Sequence, residues 1–256
     1  MFLQTQRMSK PRHIYQGRLD KGMAHIVSAF DQDFAALNDM LARLGGMAEA
    51  QLSNVMGAIE ARKLDALDAI ISGDKELDKI ELDINEQALR LIALRAPMAQ
   101  DLRRVLVSLK VAAALERIGD YAKNIAKRSK VIIPDTNYDV PMASILTMAR
   151  LAQTMLNQVM DAYVAMDSDL AIDVWEQDIA IDQIHTALFQ SLLELMATSG
   201  DRATIISHLL FTAKNIERVG DHVTNIAEQI YFVNHGKFPE DDRPKADTAS
   251  ALGLDG

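Results

Sequence analysis

Glu116-Arg117-Ile118-Gly119-Asp120, followed by Asn124-Ile125-Ala126, recurs in the same chain as Glu217-Arg218-Val219-Gly220-Asp221, followed by Asn225-Ile226-Ala227. The offset is 101 residues, and the repetition extends upstream. Met47–Asp78 aligns without gaps on Leu151–Asp182 at an offset of 104, pairing Leu52 with Leu156, Val55 with Val159, Asp74 with Asp178 and Asp78 with Asp182. The difference of three residues falls in the turn after the middle element of each unit, where length changes are tolerated. The chain is thus built of two similar units, each ending in the same acidic signature.

Six prolines and twelve glycines in 256 residues punctuate the sequence sparsely. The stretches between them are rich in Ala, Leu, Met, Glu, Gln and Lys, which are strong helix formers, and carry none of the evenly spaced turn signals of a strand-rich fold. Apolar residues recur at helical spacing, as in Leu52, Val55, Met56, Ile59 and again Ile216, Val219, Val223, Ile226. The expected fold is all-α: two tandem, pseudo-symmetric antiparallel three-helix bundles, each burying one apolar stripe per helix.

The pattern predicts helices over about 19–61, 65–95, 98–131, 142–166, 169–198 and 201–234, with a polar arm before residue 17 and a bend at Gly45-Gly46. Ser168 or Asp169 and Asp201 or Gly200 are the expected caps of the last two helices. Pro134 and Pro141 bracket the clearest linker. The first repeat is placed at 17–132, the second at 141–234, and 235–256 is expected to be a disordered tail.

Lys and Arg total 27 against 36 Asp and Glu, a formal charge of −9. Such a surface repels phosphodiester backbones, and 5% aromatic content supplies no base-stacking platform, so nucleic acid is not an expected partner. The absence of cysteine excludes disulfides, thiolate metal sites and cysteine nucleophiles. Met1–Lys21 lacks the apolar core of a signal peptide, and no stretch approaches the roughly 18–20 apolar residues of a membrane span. These features point to a soluble cytoplasmic protein.

The residues the repeats share beyond their core positions are acidic. Each middle helix carries Asp-x-x-x-Asp, at Asp74/Asp78 and Asp178/Asp182, and each last helix carries Glu-x-x-x-Asp, at Glu116/Asp120 and Glu217/Asp221. Positions i and i+4 share a helix face, and like charges so placed cost about 0.2–0.5 kcal/mol per pair. Gly119 and Gly220 lie inside these helices, where glycine costs about 1 kcal/mol relative to alanine, which suggests close approach of another helix or an ion. Carboxylates converging from neighbouring helices form an all-oxygen site suited to hard cations such as Mg, Ca or Mn, or to oxide-bridged Fe. The alternative is an acidic face paired with Arg117, Arg218, Arg103 or Lys123. His185, one turn beyond Asp182, is a further candidate ligand, although Glu81 holds the equivalent place in the first repeat. His222 faces elsewhere on the helical wheel, and the methionines read as core filler.

With the duplicated Glu-Arg-Ile/Val-Gly-Asp-x-x-x-Asn-Ile-Ala in place, the sequence resembles the PhoU family. The resemblance runs from about His25 to Asn234 and includes His25-Ile26 with Phe30-Asp31, Gly45-Gly46-Met47, Gly73-Asp74 and Ala96-Pro97 with Asp101-Leu102-Arg103. It implies two three-helix bundles whose acidic motifs bind multinuclear metal clusters, iron or another divalent ion, with Fe, Mn, Mg and Zn all open. One site would be Asp74, Asp78, Glu116 and Asp120, the other Asp178, Asp182, Glu217 and Asp221. It further implies a non-catalytic negative regulator of phosphate uptake. Such a protein links the ATPase subunit of a phosphate ABC transporter to a sensor histidine kinase, and a homodimer is expected.

A carboxylate-bridged di-metal oxidase or hydrolase is the competing reading. Bundle enzymes of that kind use Glu-x-x-His on two helices, and only Asp182-x-x-His185 approaches the pattern. A metal-free structural bundle is the third reading.

Overall fold

The computed structural model describes residues 13–135 and 139–240. Six helices account for nearly all of them: α1 (His13–Glu60), α2 (Leu64–Arg95), α3 (Gln100–Ile132), α4 (Asp139–Ala165), α5 (Ser168–Thr198) and α6 (Ala203–His235). A single 3-10 turn, Gly200–Arg202, leads into α6, and no strand occurs among the described residues. The all-α expectation and the two groups of three helices are both found. Within each group every helix touches the other two, while α3 packs on α6 more extensively than any other pair does, and α1 also meets α4. One apolar core therefore runs through both repeats, from Phe30 and Phe34 to Ile230 and Val233. The stripes expected to be buried are buried, including Leu52, Val55, Ile59, Ile216, Val219, Val223 and Ile226.

Local boundaries differ where short-range chemistry decides them. α1 begins at His13, not near Leu19, and no proline falls between the two to stop a helix. The rest of the expected polar arm, residues 1–12, lies outside the described residues. Gly45-Gly46 does not interrupt α1. A Cβ on Gly45 would press on the terminal methyl of Met160, so this glycine marks the crossing of α1 and α4 and not a bend. α5 is capped by Asp167, one residue before the expected cap, whose carboxylate accepts from the N–H groups of Asp169 (3.0 Å) and Leu170 (3.1 Å). α6 is entered through the 3-10 turn, with no side-chain cap.

Residues 236–240 are not a loose tail. Gly236, at φ +75°, closes α6 by donating its N–H to the Phe232 carbonyl. Phe238 then stacks on Phe232, with ring centroids 4.8 Å apart. Residues 241–256 lie outside the described residues.

Buried polar links fix how the helices meet. The Tyr163 hydroxyl on α4 donates to Asn38 on α1 (3.2 Å) and shares a hydrogen bond with Ser108 on α3 (3.1 Å). Trp175 on α5 donates its indole N–H to Glu228 on α6 (3.1 Å). The signature glycines sit at the tightest crossings: a Cβ at Gly119 would collide with Leu77 of α2, and one at Gly220 with the Asp178 carboxylate of α5. Gly46 has open space around it. Gly119→Ala is expected to lower stability by about 1 kcal/mol, overpacking exceeding the gain in helix propensity. Gly46→Ala should raise stability by about 0.5–1 kcal/mol. Denaturant midpoints of the two variants check this opposition.

Candidate functional site

The acidic motifs lie where α2 meets α3 and where α5 meets α6, beside the two signature glycines. In the first repeat Asp74 is buried, with 4% of its surface exposed. Gln51, itself buried, reaches in from α1. With its amide oriented to donate to the Gly119 carbonyl (3.2 Å), its oxygen accepts from the Asp74 backbone N–H (3.2 Å). A single α1 side chain thus ties α2 to α3 at the point of closest approach.

The Lys123 ammonium ion-pairs with Asp74 and sits 2.6 Å from Asp120. It fills the space between the two carboxylates that a metal would have to enter. Burial alone would lower the Lys123 pKa, but the hydrogen bonds to Asp120 and Asp74 outweigh it and hold the amine above its ordinary value. Arg117 lies 3.5 Å from Glu116 and 3.3 Å from Asp120 on the more exposed side. Burial, then the charge of Asp120, raises the Glu116 pKa, with Asp78 and Glu81 adding to the shift and Arg117 opposing it. Glu81 also accepts from Asn85 (2.6 Å).

The second repeat resolves the same constraint differently. Asp178, Asp182, His185 and Glu217 are all at least 95% buried. Thr224 stands where Lys123 stands in the first repeat, and donates its hydroxyl to the Asp221 carbonyl (2.8 Å). The cation here is Lys214, half exposed and 2.9 Å from Glu217. His185 packs near Phe189, with ring centroids 6.3 Å apart.

Among the described residues no three His, Asp or Glu side chains converge on a point that could hold a metal ion. The first repeat does not fit a metal: an ammonium already bridges two of its expected ligands. The second repeat has donor types suited to a hard cation, four carboxylates with His185 one turn beyond Asp182, and carries its ammonium, Lys214, 2.9 Å from Glu217. Of the basic partners considered for an acidic face, Lys123 and Arg117 do pair with it. Arg103 instead lies over Phe232 (5.5 Å) and Arg218 over Tyr121 (5.9 Å). Sequence reasoning missed Gln51 and Lys214. Lys214 is one turn before Glu217 and could have been found from that spacing, whereas Gln51 carries no such signal.

The family model for the PhoU domain matches residues 41–129 and again 145–230, one match per repeat. The chain belongs to the PhoU family. A phosphate-specific transport system accessory protein PhoU homolog of Caulobacter vibrioides is 42% identical over 228 residues, covering 88% of this chain and 98% of that protein. The Escherichia coli phosphate-specific transport system accessory protein PhoU is 32% identical over 213 residues, covering 83% and 88%. The crystal structure of PhoU from Pseudomonas aeruginosa superposes with a TM-score of 0.78 at 25% identity, over 81% of this chain and all of that one. Within this PhoU fold, the acidic signatures are the shared frame and Lys123 is a feature of one repeat only.

Two outcomes follow from the geometry. Lys123→Ala leaves the buried Asp74 carboxylate uncompensated and should cost about 2 kcal/mol, or about 4–8 °C in Tm. Combining Lys123→Met with Asp74→Asn should recover most of that loss, as read by thermal melts of chelator-treated protein. Glu116→Gln should act in the opposite direction. Because the folded-state pKa of Glu116 is raised, the penalty is present above that pKa and vanishes once pH falls below the unfolded carboxylate value. In metal-free protein the variant should gain about 1 °C at pH 7 and nothing at a pH where the carboxylates are protonated in both states.

Proposed function

We propose that this chain is an accessory regulator of a phosphate-specific transport system, repressing uptake and the starvation response when phosphate is plentiful. The observation that carries the reading is the paired match of the PhoU domain to both repeats, centred on the duplicated Glu-Arg-x-Gly-Asp helices. The relatives named for phosphate-specific transport span nearly their whole length with this chain. The ATPase subunit of the transporter and a sensor histidine kinase are the partners we assign, with a homodimer as the working form in the cytoplasm. No described helix is long and apolar enough to cross a membrane, and we assign any membrane contact to those partners. Leu82 and Leu89, two turns apart on α2, are 60% and 63% exposed and offer apolar anchors for such contacts.

The reading is non-catalytic. Phosphate regulation by docking asks for surfaces and a stable bundle, and the near match Asp182-x-x-His185 is not repeated on a second helix as a di-metal oxidase requires. Divalent metal, when loaded, is assigned to the second repeat alone, held by Asp178, Asp182, Glu217 and Asp221. A bound cation there would neutralise buried carboxylates and stiffen the α5–α6 contact.

Loss of the chain from its host should raise phosphate uptake under phosphate-replete growth, and re-expression should return it to the basal level. Equal uptake with and without the chain would refute the regulatory role. Elemental analysis should find metal lost in the Glu217→Ala/Asp221→Ala double variant and unchanged in Asp74→Asn/Asp78→Asn.

A further inference from the structure

Between α3 and α6, bordering the first acidic set at Arg117, lies a groove of about 390 Å³ lined by Lys110, Ala113, Ala114, Arg117, His222, Asn225 and Gln229. None of the lining side chains is a carboxylate, in a chain whose formal charge is −9. Lys110 makes no ion pair among the described residues; its ammonium lies 5.8 Å from the Phe238 ring at one end of the groove. Arg117 meets Glu116 and Asp120 at 3.5 and 3.3 Å, but it is 59% exposed, and exposed pairs of this kind are worth about 0–1 kcal/mol. Its guanidinium therefore keeps donors for a ligand. Across the groove, His222 Nε2 is 3.4 Å from the Tyr121 hydroxyl. Burial lowers the His222 pKa, with the charge of Asp221 opposing the shift and those of Arg117 and Arg218 adding to it.

The internal repeat supplies a control. Shifting by 101 residues turns this lining into Phe211, Lys214, Asn215 and Arg218 on α6 with Tyr121, Asn124 and Arg128 on α3. At that counterpart Arg128 stacks over the Phe211 ring at 4.3 Å, so the protein's own cation and ring occupy the space. In the open groove Lys110 replaces the ring, Gln229 replaces the stacked arginine, and two alanines replace Lys214 and Asn215. The exchange removes bulk and leaves cations and amide groups facing a space of the size that binds small molecules.

We propose that this groove binds an organic phosphate of mononucleotide size, with Lys110 and Arg117 holding the phosphate, Ala113 and Ala114 under its organic body, and Asn225 and Gln229 hydrogen-bonding its polar edge. An amine paired with a guanidinium fork matches the charge and geometry of a phosphate monoester. The volume exceeds what an orthophosphate ion alone would fill. This assignment stands independently of the regulatory reading above.

Equilibrium dialysis of the full chain against AMP, ribose 5-phosphate, adenosine and inorganic phosphate tests it. One organic phosphate should bind per chain and weaken with added salt. Its affinity should drop about tenfold or more in Lys110→Gln and in Arg117→Gln, in line with loss of a charge-assisted contact, while Arg128→Gln on the counterpart face leaves it unchanged. Melting curves establish that each variant is folded. Equal affinity in Lys110→Gln, adenosine binding as tightly as AMP, or inorganic phosphate binding as tightly as both organic phosphates would each overturn the proposal.

Discussion

Two missing Cβ atoms set the geometry on which the rest depends. At Gly119 and Gly220 the last helix of each repeat offers bare backbone to the middle helix, and any side chain there would occupy space already taken by Leu77 or by the Asp178 carboxylate. Mid-helix glycine costs about 1 kcal/mol in propensity, so the sequence accepts a local cost for a tertiary crossing. That crossing draws Asp74 and Asp178 out of solvent and against α3 and α6. The same contacts that close the bundle therefore create its electrostatic difficulty, because a buried carboxylate is costly unless it is neutralised or hydrogen-bonded.

The two repeats answer that difficulty with different chemistry from the same positions. In the first, Lys123 extends from one turn beyond Asp120 and bridges it to Asp74, while Gln51 takes up the adjacent backbone groups. In the second, the Lys123 position is Thr224, and the ammonium comes from Lys214, one turn before Glu217 and nearer the solvent. Duplication followed by this divergence leaves each half with its ammonium on a different turn of the last helix, three residues after Asp120 in one and three residues before Glu217 in the other.

Much of this was legible in the sequence because its signals were local or periodic. The 3.6-residue recurrence around Leu52 and Ile216 gave the helices and their buried faces, and the repeat offsets gave the pairing of motifs. The i, i+4 spacing correctly placed Glu116 with Asp120 on one face. It could not say which neighbouring helix that face meets, so Lys123 stood among the candidate cations but its pairing with Asp74, 49 residues distant, was not readable. Gln51 was invisible for the same reason: its role depends on where α1 lies across α2 and α3. Boundary errors had short-range causes. Asp167 outcompeted Ser168 as a cap because it precedes the first helical N–H groups by the right two and three residues. The segment after Lys237 read as loose because its stacking partner, Phe232, sits on the preceding helix.

Imperfect symmetry matters most at the seam between α3 and α6. Two copies of one helix packed face to face should produce two equal grooves; here one is filled by Arg128 and Phe211 and the other is open. Arg117 belongs to both neighbourhoods, touching Glu116 and Asp120 while lining the open groove. Its charge lowers the cost of ionising Glu116, so the open groove and the α2–α3 contact share one cation. Glu116 and Lys123 share Asp120 as a neighbour.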